Sequence, residues 1–173
     1  METKQLRKKE VKEYFRNFPE RRIEIAVILE NIQYAKNVSA MFRTAAGANV
    51  KRIILTGISR TPPFGKGLRK VSRGMENNVT WTYFETSEQA INELRRDGYT
   101  IIGVELTKDA IPHYELPKYL KTKKKVCFIV GHEDGGINKN TLNSCDSIVM
   151  IPMYGKGTSL NVTVSLGIVL YSF

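Results

Sequence analysis

Cysteine and histidine are scarce, with two of each in 173 residues. Cys127 and Cys145 have neither the density of a disulfide framework nor the spacing of a zinc site, so both read as reduced core residues. His113 and His132 stand alone, which leaves no histidine cluster for a metal and no catalytic dyad; no metal is expected. A long apolar run is also missing. The opening "METKQLRKKEVKEYFRNF" lacks the apolar core of a signal peptide, and the apolar stretch at the other end is too short to span a bilayer. A cytoplasmic protein without membrane contact is expected. Acidic residues are the minority, 17 against 27 Lys plus Arg, for a net charge of +10. Such an excess points to a polyanionic partner, nucleic acid first, with plain solubility as the bland alternative. A phosphate-binding P-loop is absent too. The glycine-rich "GKGTS" at 155–159 has no glycine at the upstream position and places Gly157 where the hydroxyl residue belongs.

What is present is an alternation of strand-like and helix-like segments in a chain long enough for one domain of ordinary size. Residues 1–22 form a basic appendage, with an amphipathic helix over 2–17 that carries Leu6, Val11, Tyr14 and Phe15 and that Pro19 stops. From residue 23 to 173 the pattern becomes "IEIAVILE", a helix from about Asn37 to Ala46, "RIILTG", a basic Gly/Pro loop, and "VTWTYFE". A helix then opens at the "TSEQ" capping box, followed by "YTIIGVEL", a loop, "KVCFIVG", a short helix, "SIVMIP" and a closing helix. The strands are continuous apolar runs, the mark of strands buried on both faces. An α/β fold with a mostly parallel sheet and helices on both sides is therefore expected. Ligands in such sheets bind beyond the carboxyl ends of strands, where the turns "ENIQYAKN", "GHEDGGI" and "MYGKGTSLN" fall.

In and around these turns, several residues suit chemistry and most have a plainer reading. Asn37 fits a helix N-terminus as a functional amide or as a cap. Ser159 and Asn161 equally suit a helix start. Arg43, amid "SAMFRTAAG", would be costly to bury without a partner; its plain reading is a solvated or salt-bridged side chain. Glu133 either balances basic charge or fixes backbone amides or Asn161. Gly131 permits close backbone approach, and Ile151, Met153 and Leu160 are apolar residues beside these turns. Two basic stretches, 59–74 with five cations and 118–126 with Tyr119 interleaved, suit a nucleic-acid backbone or a solvated face.

Taken together, "NIQYAKNVSAMFRTAAG" (31–47), "FIVGHEDGGI" (128–137) and "IPMYGKGTSLNVTVS" (151–165) resemble the three ordered motifs of the SpoU/TrmH branch of the SPOUT RNA methyltransferases. The likeness covers residues 23 to 173. It implies a SPOUT-type fold with a C-terminal trefoil knot, a homodimer, and S-adenosylmethionine as cofactor. It also implies methyl transfer to a ribose 2′-hydroxyl of RNA. Transfer RNA is favoured because no large separate recognition domain is apparent; ribosomal RNA, or a non-catalytic RNA-binding protein on this fold, is the alternative. By position, Arg43, Asn37, Glu133, Ser159 and Asn161 take the catalytic places, and Gly131, Ile151, Met153 and Leu160 the cofactor places. The closing helix ends at "LYSF", where family members usually continue with charged residues, so a weaker dimer contact is expected.

Overall fold

The computed structural model describes residues 5–7, 9–19 and 21–173. Seven strands form one sheet: β1 (Glu24–Glu30), β2 (Arg52–Thr56), β3 (Thr80–Phe84), β4 (Thr100–Val104), β5 (Ile111–Pro112), β6 (Lys125–Val130) and β7 (Ser147–Met150). Their order is β3-β2-β1-β6-β4-β7-β5, and every pairing is parallel. The expected α/β class is borne out. Parallel neighbours need crossovers, which the helices supply: α2 (Ala35–Gly47), α3 (Lys66–Ser72), α4 (Ser87–Arg96), α5 (Leu116–Tyr119), α6 (Lys139–Asn143) and α7 (Val162–Leu170).

Alternation within the apolar runs sorts the core into two layers. Ile25, Val27 and Leu29 of β1, with Val126, Phe128 and Val130 of β6, face α2 and α7 residues such as Met41, Phe42, Leu166 and Val169. Ala26 and Ile28, with Cys127 and Ile129, face Ala90, Ile91 and Leu94 of α4 on the other side. Neither face of these central strands meets water, which is why their sequences show no polar alternation. The capping box opens α4 as expected: Thr86 Oγ1 accepts from the Gln89 amide, and Gln89 Oε1 accepts from the Thr86 amide, both at 3.3 Å.

Three segments differ from their sequence reading. The basic stretch 59–74, expected as a loop, contains α3, because tertiary contacts outweigh its glycines. Ser39 Oγ of α2 donates to the Leu68 carbonyl at 2.6 Å, and the Phe64 ring meets Phe42 edge-on at 5.4 Å. The second stretch, 118–126, includes part of α5 and a 3₁₀ turn before β6 begins at Lys125. The expected helix over 2–17 is shorter: α1 runs Lys9–Arg16 and has no buried residue. The part of that expectation at residues 2–4 and 8 lies outside the described residues.

Arg21 and His113 both contact the last residues of the described chain. The Arg21 guanidinium lies over the rings of Tyr171 and Phe173, 5.5 and 5.0 Å from their centroids, and Ser172 Oγ sits 2.9 Å from His113 Nδ1. Among the described residues no helix is long and apolar enough to cross a membrane.

Candidate active site

The carboxyl ends of β6, β4 and β7 open into a cleft of about 310 Å³. Its floor is set by a tight loop after β6. His132 and Gly136 exchange backbone hydrogen bonds of 3.0 and 2.8 Å, and His132 Nδ1 accepts from the amides of Asp134 and Gly135. Gly131 lies against the returning strand of this loop so closely that a Cβ there would fall 2.3 Å from the Gly136 carbonyl carbon and oxygen. Real Cβ contacts do not reach that distance, so glycine is required by packing rather than by a left-handed dihedral. Glu105, just beyond β4, accepts from the Ile137 amide at 3.1 Å and from the Leu106 amide at 2.9 Å, tying the loop across the sheet.

Six of the residues proposed from sequence line the cleft: Gly131, Glu133, Ile151, Met153, Ser159 and Leu160. Asn37 and Asn161 do not line it but belong to a chain of hydrogen bonds that joins all three motifs. The Glu133 carboxylate accepts from the Gln33 amide at 2.9 Å, the Tyr34 amide at 3.2 Å and Asn37 Nδ2 at 2.6 Å. Asn37 Oδ1 in turn accepts from Asn161 Nδ2 at 3.3 Å, and Asn161 Oδ1 accepts from the Thr163 amide at 2.9 Å. Glu133 thus reaches Asn161 only through Asn37. Tyr34, the N-cap of α2, has no side-chain cap of its own; Glu133 supplies one from about a hundred residues away, where a negative charge also meets the positive end of the helix dipole. Asn37 is therefore the third residue of α2 rather than its cap, whereas Asn161 does cap α7. An Asn161 substitution must lose helix stability, ~1 kcal/mol, in addition to any effect on turnover.

Burial pushes the Glu133 carboxyl up, but hydrogen bonds from Asn37, Gln33, its own amide and Tyr34 outweigh that and leave it below the ordinary range. A depressed carboxylate stabilises the fold fully above its unfolded value of ~4.3, and that stabilisation is lost as pH falls through the folded value. Urea unfolding of Glu133→Gln is expected to show lower stability at pH 7 and a shallower further loss in acid than the wild type. Equal acid sensitivity in the two proteins would mean that Glu133 does not carry this linkage.

Arg43 departs from the burial argument made for it. The helix turns its side chain outward, where it is exposed, with no hydrogen bond or ion pair among the described residues, and it does not line the cleft. Ser159 is exposed at the cleft rim, with no side-chain hydrogen bond among the described residues. Glu105, His132 and Asp134 line the cleft and were not foreseen; the only sequence signal for Glu105 is a carboxylate directly after a buried apolar strand. The resulting lining is unusual for a chain of net charge +10: among the described residues it has three carboxylates, Glu105, Glu133 and Asp134, and no lysine or arginine. A triphosphate would find no counter-charge there, whereas a ligand with an apolar flat part and a cationic part would. No three His, Cys, Asp or Glu side chains cluster as metal ligands among the described residues.

The sequence pattern of the SpoU rRNA methylase family matches residues 24–171. The chain belongs to this family. It is 29% identical over 147 residues to the 23S rRNA (guanosine-2'-O-)-methyltransferase RlmB of Neisseria meningitidis, a match covering 84% of this chain and 56% of that protein. It is 27% identical over 154 residues to the tRNA (guanosine(18)-2'-O)-methyltransferase of Escherichia coli K12, covering 87% of this chain and 63% of the other. The chain thus spans somewhat over half the length of these curated relatives. Among solved structures, the TrmH/SpoU tRNA modifying enzyme of A. aeolicus superposes with a TM-score of 0.74 at 27% identity, over 88% of this chain and 74% of that one. An AdoMet-bound rRNA methyltransferase from Sinorhizobium meliloti shares the fold at a TM-score of 0.78 and 23% identity, over 91% and 58% of the two chains. All three motifs, and hence the hydrogen-bond chain from Glu133 to Asn161, fall within the matched span.

Proposed function

We propose that the protein is an S-adenosylmethionine-dependent methyltransferase acting on a ribose 2′-hydroxyl of RNA, with tRNA the favoured substrate and rRNA the alternative. The observation that carries this reading is the cleft: acidic and apolar, lined by no lysine or arginine among the described residues, within an otherwise cationic protein. It suits a sulfonium amino acid bearing an adenine, and the Gly131 approach leaves backbone groups rather than side chains on its wall. Ile151, Leu160 and Met153 would flank the adenine, and the acidic groups would face the cationic portion. S-adenosylmethionine, when bound, supplies an electrophilic methyl group, so the protein's own task is positioning and the handling of one proton.

Arg43 is suited to hold an RNA phosphate. Its fork of donors is unspent among the described residues, and a guanidinium is a poor proton acceptor, which favours an electrostatic role over a base. From that position it also steadies negative charge developing on the ribose oxygen. Ser159, with an uncommitted hydroxyl at the rim, orients the ribose. Glu133, Asn37 and Asn161 hold the three segments in register, and are positioning residues. The homodimer, the cytoplasmic location and the C-terminal trefoil knot complete the proposal and rest on family membership. The partition into an N-terminal basic helix and a methyltransferase domain from residue 23 belongs with them.

The test has two parts. Calorimetry should detect S-adenosylhomocysteine binding equally with and without chelator, and mapping of 2′-O-methyl groups in RNA from cells with and without the protein should reveal a site that depends on it. A folded protein that binds no cofactor, or an RNA methylation map that does not change, would end the enzyme reading.

A further inference from the structure

A second recess lies along the same carboxyl edge of the sheet. The ends of β2 and β3 and the loop between Gly57 and Thr61 enclose an open groove of about 480 Å³, a size typical of small-ligand sites. Trp81, the only tryptophan in the chain, and Tyr83 stand two residues apart on β3, so both rings project from one face of this edge strand. Trp81 packs partly against the core, while Tyr83 is 46% exposed. Ile58, 64% exposed, and Arg60 line the same groove.

The groove is built rather than incidental. Tyr83 Oη donates to the Gly57 carbonyl at 3.1 Å, which fixes the ring without using its faces. Ser59 is buried; its Oγ donates to the Leu29 carbonyl at 2.7 Å and accepts from the Ile32 amide at 2.8 Å. Asn31 Oδ1 accepts from the Ile58 amide at 3.3 Å, and a Cβ at Gly57 would fall 1.9 Å from that oxygen. The groove wall is therefore locked to residues 31–34, the segment that enters α2 and that Glu133 holds. Among the described residues no Asp or Glu lines it. Arg52, which is paired with Glu93, donates to Thr82 Oγ1 on the opposite face of β3. Beyond the groove, Arg60 is followed by exposed Lys66, Lys70 and Arg73 on and after α3.

We propose that this groove is a second RNA subsite, which takes one unstacked nucleobase of the substrate strand against Trp81 and Tyr83, with Arg60 on the adjoining phosphate. The inference deepens the RNA reading above and rests on it. Rigid aromatic faces beside a cation and without carboxylates are the chemistry that holds single-stranded RNA, because every base offers a π-face. The position fits as well. From β2 and β3 to the cleft at β6, β4 and β7 is two to five strand spacings in the sheet order, roughly 10–25 Å, which a few nucleotides can bridge. A base held here would fix which nucleotide reaches the cleft without being methylated itself.

Because Trp81 is the sole tryptophan, its fluorescence reports on the groove directly. The full chain is titrated with a single-stranded oligoadenylate carrying a 3′ fluorophore, reading tryptophan emission and fluorophore anisotropy together. Saturable quenching at the concentration where anisotropy rises is expected. Tyr83→Ala should weaken binding roughly five- to a hundred-fold, and Tyr83→Phe, which keeps the ring, should stay near wild type. Cofactor calorimetry on each variant verifies that it is folded. Anisotropy that rises while Trp81 emission stays unchanged would overturn the subsite and leave RNA binding intact. No rise in anisotropy would remove the subsite together with the RNA reading. A blue shift that tracks protein concentration without RNA would mean that the groove is covered by a second copy of the chain.

Discussion

Arg43→Ala is expected to slow methyl transfer by a hundred-fold or more, ~3 kcal/mol of transition-state stabilisation, while thermal stability and cofactor affinity stay at wild-type values. The division follows from where the side chain stands. Arg43 is exposed on α2, is spent on no protein partner among the described residues, and does not line the cleft, so its removal strands no buried group and vacates no cofactor contact. Arg43→Lys keeps the charge but loses the planar fork that grips a phosphate in two places. An intermediate rate that partly recovers at raised pH is expected. Single-turnover methyl transfer across pH, beside calorimetry with S-adenosylhomocysteine, separates the possibilities. Full activity in Arg43→Ala would take the arginine out of the mechanism, and loss of cofactor binding would show that it serves the other half of the site.

A methyl group added at Gly131 is expected to have the opposite signature, with cofactor affinity and stability falling together. The new Cβ would meet the carbonyl carbon and oxygen of Gly136 at 2.3 Å and the Ile137 nitrogen at 2.4 Å. These are backbone atoms, with no flexible side chain to yield, so the loop over 132–136 must move or the strand must bend. Overpacking of this kind costs about 1–3 kcal/mol, and in a chain of this size it lowers Tm by roughly 2–10 °C. Since that loop is the cleft floor, cofactor affinity should fall at least ten-fold. Gly135→Ala is the natural control: its Cβ would come no closer than 3.9 Å to any neighbour, at His132, and near-wild-type behaviour is expected. Scanning calorimetry and cofactor titration on the two variants provide the comparison. If Gly131→Ala matches wild type in both, the close approach does not shape the cleft.

Much of the architecture was legible in the residues, for a physical reason. Strands such as "IEIAVILE" and "KVCFIVG" are apolar at every position because both faces are covered, and that pattern alone indicates a parallel sheet between helix layers. The Thr86–Gln89 box marked its helix start locally and correctly. The cleft lining at Gly131, Ile151, Met153, Ser159 and Leu160 was accessible through motif likeness, since those residues sit in two turns that follow strands. What the sequence by itself could not decide is what requires two distant segments at once. Nothing near Tyr34 shows that the cap of α2 is Glu133, because a carboxylate about a hundred residues away carries no local mark of its partner. Glycines and prolines in 59–74 favoured a loop, yet the Ser39 bond and the Phe64–Phe42 contact make α3 there. Arg43 looked too costly to bury, whereas only the rotation of α2 against the sheet determines that it is not buried at all. The groove at Trp81 and Tyr83 has the same origin: strand period places the two rings on one face, but only the sheet order makes β3 an edge and brings the Gly57–Thr61 loop against it.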